Sequence, residues 1–207
     1  MAANSNQVSE RRRGRRPGIS TSRQAILDAA RARFAGDGYV ATTIRQVAAD
    51  AGVDASLVMQ FFRSKDELFA AVMSIPPETL TLLSSAFDGP DEQLGERVVR
   101  TFLAAWEGAP QDSEPLMAML RGAVVNELAN TQLREFIQAR LLEAVGPGAT
   151  DDAVLRAGVA SSMLVGLIVG RRIVGVPTLV EADTDALVAV VAPAIQNVLS
   201  PSRHRPT

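Results

Sequence analysis

From residue 21 to residue 199, apolar residues recur three and four apart, and no run keeps a period-two alternation. That pattern predicts helices throughout and an all-α fold. Ile26, Leu27, Ala30 and Phe34 form the stripe of a first helix starting near Thr21 or Ser22, both capping types. The sequence GDGY, residues 36–39, ends it with glycines that accept positive φ. Thr43 and Gln46 stand at capping-box spacing and open a short helix whose inner face is Ile44, Val47 and Ala48, closed by Gly52. Asp54 caps a second short helix, with Leu57 or Val58 and Phe62 facing inward. Ser64 and Glu67 repeat the capping-box spacing and launch a fourth helix through Leu68, Phe69 and Val72, which Pro76 and Pro77 stop. Further helices are expected at 78–87, 91–107, 112–128, 130–145, 151–175 and 183–199.

These elements divide the chain. Residues 1–20, with RRRGRRPG and no apolar periodicity, read as a flexible basic arm, or as a merely solubilising tail. Residues 21–74 form a head with two short helices joined by a tight glycine-containing turn, a helix-turn-helix pattern. Residues 75–200 form a larger helical body, and 201–207 a flexible tail.

Composition narrows the chemistry. The chain has 207 residues, 47% of them apolar, enough for a sizeable core. The absence of Cys removes disulfides, thiolate nucleophiles and Cys-based zinc sites, and fits a reducing cytoplasm. The uncharged run AGVASSMLVGLIVG, residues 157–170, is shorter than the roughly 18–20 residues that span a bilayer and runs into Arg171 and Arg172, so a buried helix is expected and no membrane partner. The net charge of −2 is unevenly spread. Up to residue 70, eleven basic side chains face seven acidic ones, a surplus of four, which leaves −6 on the remainder. A basic head on an acidic body suits a polyanion-binding module. An enzyme finds little support: the one histidine is His204 in the tail, and neither metal-ligand spacing nor a nucleotide loop stands out. No metal, catalytic residue or cofactor is expected. A sequence-tolerant, nucleoid-type DNA-binding protein is the second alternative.

AILDAARARFAGDGYVATTIRQVAADAGVDASLVMQFFRSKDELFAAV, residues 25–72, resembles the N-terminal domain of TetR-type transcriptional regulators almost position by position. The resemblance rests on the Ile-Leu-x-Ala-Ala opening, Phe34, the Gly38-Tyr39 corner, Thr42-Thr43, Val47-Ala48, Ala51-Gly52-Val53, Phe62 and Ser64-Lys65-Asp66-Glu67-Leu68. FLAAWE, LMAMLRGAV, LREFI, LVGLIVGRRIVG and LVAVVAPAIQNVL are similar to the ligand-binding and dimerisation domain of one branch of that family. The resemblance implies a cytoplasmic homodimer, associated with the nucleoid when bound, each head laying its second short helix in a major groove of a palindromic or near-palindromic operator. It also implies a small-molecule effector held in the body, and most relatives are repressors that release DNA when an inducer binds.

Candidate DNA contacts follow. Thr43 offers a hydroxyl and a helix N-terminus to phosphate, or acts as a pure cap. Lys65, the chain's one lysine, stands where the family grips phosphate, and Arg45 could meet phosphate, a guanine edge or an internal acid. Gln60 has the amide geometry for adenine, and Ser56 suits either phosphate or base. Ala55, Met59 and Phe61 are candidates for thymine methyls, although Phe61 could equally thicken the core. The family often carries an aromatic hydroxyl or histidine where this chain has Met59 or Phe61. Arg11, Arg12, Arg13, Arg15 and Arg16 could enter a minor groove or lie along phosphates.

In the body, Phe102, Trp106, Met117, Met119, Leu120, Phe136, Met163 and Leu167 are candidates for an apolar effector chamber or for plain core. Arg121, Asn126, Glu127 and Arg171 are candidates to orient a polar effector group, or to sit on the surface. The small residues Gly158, Ser161, Ser162, Gly166 and Gly170, with Leu187, Val190, Val191, Ile195 and Val198, would suit a four-helix interface between two copies, or packing within one chain.

Overall fold

The computed structural model describes residues 19–200, and within them every regular element is helical. The head comprises α1 (Ile19–Ala41), α2 (Ile44–Asp50), α3 (Ala55–Phe61) and α4 (Lys65–Val72). The body comprises α5 (Pro77–Ser85), a short turn of tighter helix (Asp91–Gln93), α6 (Leu94–Glu107), α7 (Pro110–Gly122), α8 (Glu127–Val145), α9 (Asp151–Ile168), a π-helical continuation (Val169–Val174), α10 (Pro177–Glu181) and α11 (Thr184–Leu199).

The head is built by its caps. α1 breaks where expected, at Gly38, whose φ of 79° lies in the left-handed region that glycine tolerates. Thr43 and Gln46 make the full capping box of α2, and Asp54 accepts the Ser56 N–H at the start of α3. Ser64 accepts the Glu67 N–H, while the Glu67 carboxylate turns back to the Arg63 N–H one residue further out. Arg33 ties α1 to α2, its guanidinium reaching both oxygens of Asp50 at 2.5 and 3.0 Å and Asp37 at 3.1 Å.

Two apolar clusters make the core. The head cluster gathers Ile26, Phe34, Val47, Val58, Phe62, Leu68 and Phe69, with Ala118 and Met119 of α7 and Ala129 of α8. The body cluster gathers Val99, Leu103 and Trp106 of α6, Leu116, Met117 and Leu120 of α7, and the inner faces of α9 and α11. α7 therefore sends alternate faces into both clusters and joins head to body. Ile75, Leu133 and Phe136 pack against both. At the seam, a Cβ on Gly122 would stand 2.6 Å from Phe69 Cζ and 2.9 Å from Ala129 Cβ. Only hydrogen fits there.

Three expectations are corrected. The helix read as 112–128 starts earlier, with Pro110 in its first turn, and stops at Gly122. Asn126 then caps α8 by accepting the Ala129 N–H. The helix read as 151–175 changes to π pitch at Val169 and ends at Gly175, whose φ of 74° closes it. The α9 helix with its continuation, Asp151–Val174, is apolar and long enough by composition to cross a bilayer. Its inner residues Ala157, Ala160, Leu164 and Ile168 are buried against the body, but its outer face, with Leu155, Val159 and Met163, is exposed, so the helix expected to be buried is buried on one side only.

Candidate nucleic-acid interface and cavity

α3 turns Val58 into the head core and leaves Ser56, Met59 and Gln60 outward, with Arg63 just beyond its end. That spacing places Ser56, Met59 and Gln60 on one face of the short helix, while Arg63 follows the extended Phe62. Gln60 and Arg63 make no side-chain hydrogen bond or ion pair among the described residues, so both are available to a ligand. Ser56 is partly committed: its N–H donates to Asp54 at 2.7 Å, and its hydroxyl, with that N–H second, holds the Asp54 carboxyl below the usual carboxylate range. Ala55 and Phe61 are half-buried against the head core, and the Phe61 ring sits 6.4 Å from that of Phe62. Helical geometry gives Phe62 the buried position and leaves Phe61 a partial edge.

The candidate phosphate contacts flank α3. Thr43 is exposed at the start of α2, and its hydroxyl donates to Gln46 Oε1 at 2.7 Å while accepting the Gln46 N–H at 3.3 Å. Arg45 is exposed and makes no ion pair among the described residues. Lys65 Nζ lies 4.2 Å from the centre of the Tyr39 ring, and burial pushes its ammonium below the ordinary lysine value. The Tyr39 hydroxyl donates to Asp66, and burial together with that bond pushes the phenol up to about 12. Tyr39 also stacks near Phe69 and Phe34, so the lysine is seated on a ring that the head core holds rigid. The sequence marks Tyr39 only as part of the Gly38-Tyr39 corner and assigns no contact to Arg63 or to Arg23, whose guanidinium lies 5.2 Å above the Phe62 ring. The signal for Arg63 was present, a cation immediately after the second short helix. The five arginines Arg11, Arg12, Arg13, Arg15 and Arg16 lie outside the described residues.

The body holds a cavity of about 90 Å³ between α5, α6, α8 and α9. Phe102, Trp106 and Phe136 line it, as do Thr101, Arg140, Ser161 and Leu164. The other proposed chamber residues stand elsewhere. Met117, Met119 and Leu120 are buried core, and Met163 is turned to the outer face of α9, because α7 and α9 present those positions away from the cavity. Leu167 packs against the body cluster without lining the space. Arg121 donates to the carbonyls of Gly36 at 3.1 Å and Arg172 at 3.0 Å, which makes it a tie between α1 and the π segment. Arg171 pairs with Glu107 at 2.8 Å and caps the carbonyls of Leu179 and Ala182; Asn126 serves as a helix cap, and Glu127 is exposed. Arg140, missed in the sequence, interrupts the apolar stripe Leu133, Phe136, Ile137, Leu141 and Ala144 of α8. That interruption was the available signal.

On the far side of the body, α9 exposes Leu155, Val159 and Met163 beside Ser162 and Gly166, and α11 exposes Val190. Leu187 and Ile195, expected at an interface between copies, are 5% and 0% exposed within one chain and belong to the body core. Between Ala186 and Ile195 α11 is apolar all round, and its packing on α6 takes Leu187 and Ile195 inward. Val191 is half-buried.

Comparison with known proteins bears on both halves. Residues 26–72 match the family model described as bacterial regulatory proteins of the tetR family, and residues 92–199 match the tetracyclin repressor-like C-terminal domain. A TetR-family regulator from Streptomyces coelicolor is 34% identical, with 90% of this chain and 98% of that one covered and a TM-score of 0.58. NalD of Pseudomonas aeruginosa, the secondary repressor of the MexAB-OprM multidrug efflux pump, is 24% identical over 85% and 94% of the two chains, with a TM-score of 0.56. A TetR-like transcriptional regulator from Rhodococcus sp. RHA1 is 19% identical over 89% and 96%, with a TM-score of 0.58. No curated protein matches significantly.

Proposed function

The chain belongs to the TetR family of DNA-binding transcriptional regulators, and from that premise we propose that it is a homodimeric repressor released from a palindromic operator by a small effector. The observation that carries the reading is the outward face of α3, where Gln60 and Arg63 stand unpaired beside Ser56 and Met59, flanked by Thr43, Arg45 and Lys65. A protein that needed this face for its own fold would have paired these groups. Here the face is stocked for a polyanion with readable edges: guanidinium and ammonium for phosphates, an amide for a base.

In the bound state Thr43, Arg45 and Lys65 fix the head on the phosphates, Gln60 reads adenine in the major groove, and Met59 meets thymine methyls. The arm residues 11–16 add charge along phosphates or in the minor groove. The outer apolar face of α9 and α11 pairs with its copy, Gly158, Ser162 and Gly166 permitting close approach. Holding two heads at one separation makes the operator a palindrome with half-sites about 34–36 Å apart, or a multiple of that. The cavity beside Trp106 is the effector site, and the regulator acts in the cytoplasm, where the chromosome is.

Selection of bound fragments from the source genome tests the reading. Enrichment of one inverted repeat is expected, with effector-like compounds lowering retention. Equal retention of random fragments would favour a sequence-tolerant DNA-binding protein instead.

A further inference from the structure

The cavity in the body has a one-sided polar character. Its lining holds no carboxylate; the charged residue is Arg140, and Thr101 and Ser161 add hydroxyls that make no hydrogen bond among the described residues. Trp106, at the same wall, has a buried indole N–H without an acceptor, and the buried Nε of Arg140 is likewise unpartnered among the described residues. Arg140 is held meanwhile from the rim, its Nη1 donating to Ser84 Oγ at 3.1 Å and pairing with Glu143 at 2.5 Å. Buried donors left without acceptors are costly, and the cost disappears when a ligand supplies the acceptor. The remainder of the wall is apolar: Leu83, Phe87, Phe102, Phe136 and Leu164 among others.

We propose that this cavity takes a small monocarboxylic acid, its carboxylate on Arg140 in place of Glu143 and its apolar body beside Trp106. A cationic ligand would meet the guanidinium with no acid in the wall beyond the rim Glu143, which Arg140 already pairs. A neutral hydrocarbon would leave the unpaired donors as they are. A carboxylate gives the unpartnered Arg140 Nε an acceptor and suits the planar fork of an arginine, which Glu143 meets through Nη1 alone. This inference rests on the reading of the body as an effector domain.

Trp106 is the chain's one tryptophan, so its fluorescence reports on the cavity directly. The full-length protein is titrated with linear acids from butanoate to decanoate, and with the alcohols and amines of the same lengths. Saturable change with an acid is expected at a Kd roughly 10- to 100-fold below that of the matched alcohol, the worth of a hydrogen bond to a charged group, and amines are expected to give none. Arg140→Met keeps the stem without the charge and is expected to bring acid and alcohol within about twofold, whereas Arg140→Lys keeps a reduced preference for the acid. Binding of the selected operator fragment by both variants certifies their fold. Equal affinity for acid and alcohol in the unaltered protein, or an acid preference that survives Arg140→Met, overturns the acid assignment and leaves an effector site for neutral molecules. No response of Trp106 to any of the three series, with operator binding untouched by them, overturns the acid assignment, and only an effector of another class displacing the operator would then keep the broader reading.

Discussion

Gly122→Ala is a one-methyl test of how the body is joined to the head. The added carbon would stand 2.6 Å from Phe69 Cζ, 2.9 Å from Ala129 Cβ and 3.1 Å from Phe69 Cε1. None of these neighbours is a loose end: Phe69 is fully buried, with its ring centre 4.7 Å from that of Phe34 and 4.9 Å from that of Tyr39, and Ala129 is fixed to the backbone of α8. Overpacking of a filled site costs about 1–3 kcal/mol. Alanine regains up to about 1 kcal/mol of helix propensity, and less at the last position of α7. The net is a loss of roughly 1–2 kcal/mol. For a domain of this size that lowers Tm by about 2–8 °C. The displaced Phe69 ring presses on Tyr39, the platform under Lys65, so operator affinity falls as well. Thermal unfolding followed by circular dichroism at fixed protein concentration reads the first effect, and a fluorescence-anisotropy titration with operator DNA reads the second. A Tm equal to or above that of the parent would refute the claim that the seam is closed to a methyl group.

Thr43→Ala removes the capping box of α2 and is expected to cost about 1 kcal/mol of stability, visible in urea unfolding, together with weaker operator binding. Gln60→Ala should cost about 1–3 kcal/mol of discrimination at one base pair of each half-site and leave unfolding unchanged; an unaltered preference across a point-substituted operator series would remove Gln60 from the readout. Deletion of residues 1–18 is expected to weaken operator binding and flatten its dependence on salt by about 0.9 log units per decade for every phosphate the arm would have neutralised, measured between two ionic strengths. Arg33 holds the Asp50 carboxyl below its ordinary value of 3.8, so the pair contributes stability above that pH and loses it as pH falls through the lower value in the fold. Asp50→Asn should therefore flatten the acid limb of the stability profile and leave a deficit at neutral pH; an acid limb identical to the parent's would contradict the assignment.

The head was readable because its boundaries are set by near neighbours. Thr43 with Gln46, Asp54 with the Ser56 N–H, and Gly38 at positive φ each act within four residues, and a local pattern suffices to find them. The body was harder because its decisive contacts are distant. The sequence AVVN after Gly122 continues an apolar run, so the turn between α7 and α8 had only Gly122 and the capping Asn126 to announce it. In α11, Leu187, Val188, Val190, Val191, Ala192 and Ile195 are apolar in every direction, and only the packing of α6 decides that Leu187 and Ile195 turn inward while Val190 stays out. Periodicity finds a face only when the other face is polar. The cavity was missed in part for the converse reason. Met117 and Leu120 have the right chemistry on a helix that does not border the space, whereas Arg140 borders it and looks in sequence like an ordinary solvated charge.

The sparse chemistry of α3 bears on how such a regulator is controlled. Its unpaired hydrogen-bonding side chains are Gln60 on the helix and Arg63 just past it, since Asp54 already engages Ser56 and Phe61 is half spent on the core. A bidentate base contact is worth about 1–3 kcal/mol, so one head alone separates its half-site from random sequence only weakly. Under the proposed reading, much of the remaining grip, from Arg45, Lys65 and the arm, would be indifferent to sequence. In the proposed dimer, specificity would come from requiring two such readings at one fixed separation set by the body. A weak reader is easily released: a shift that misplaces one head forfeits half of the specific energy while leaving the phosphate grip of the other. α7 is placed to carry that shift, with Ala118 and Met119 in the head core, Met117 and Leu120 in the body core, and Gly122 allowing no slack where it crosses Phe69.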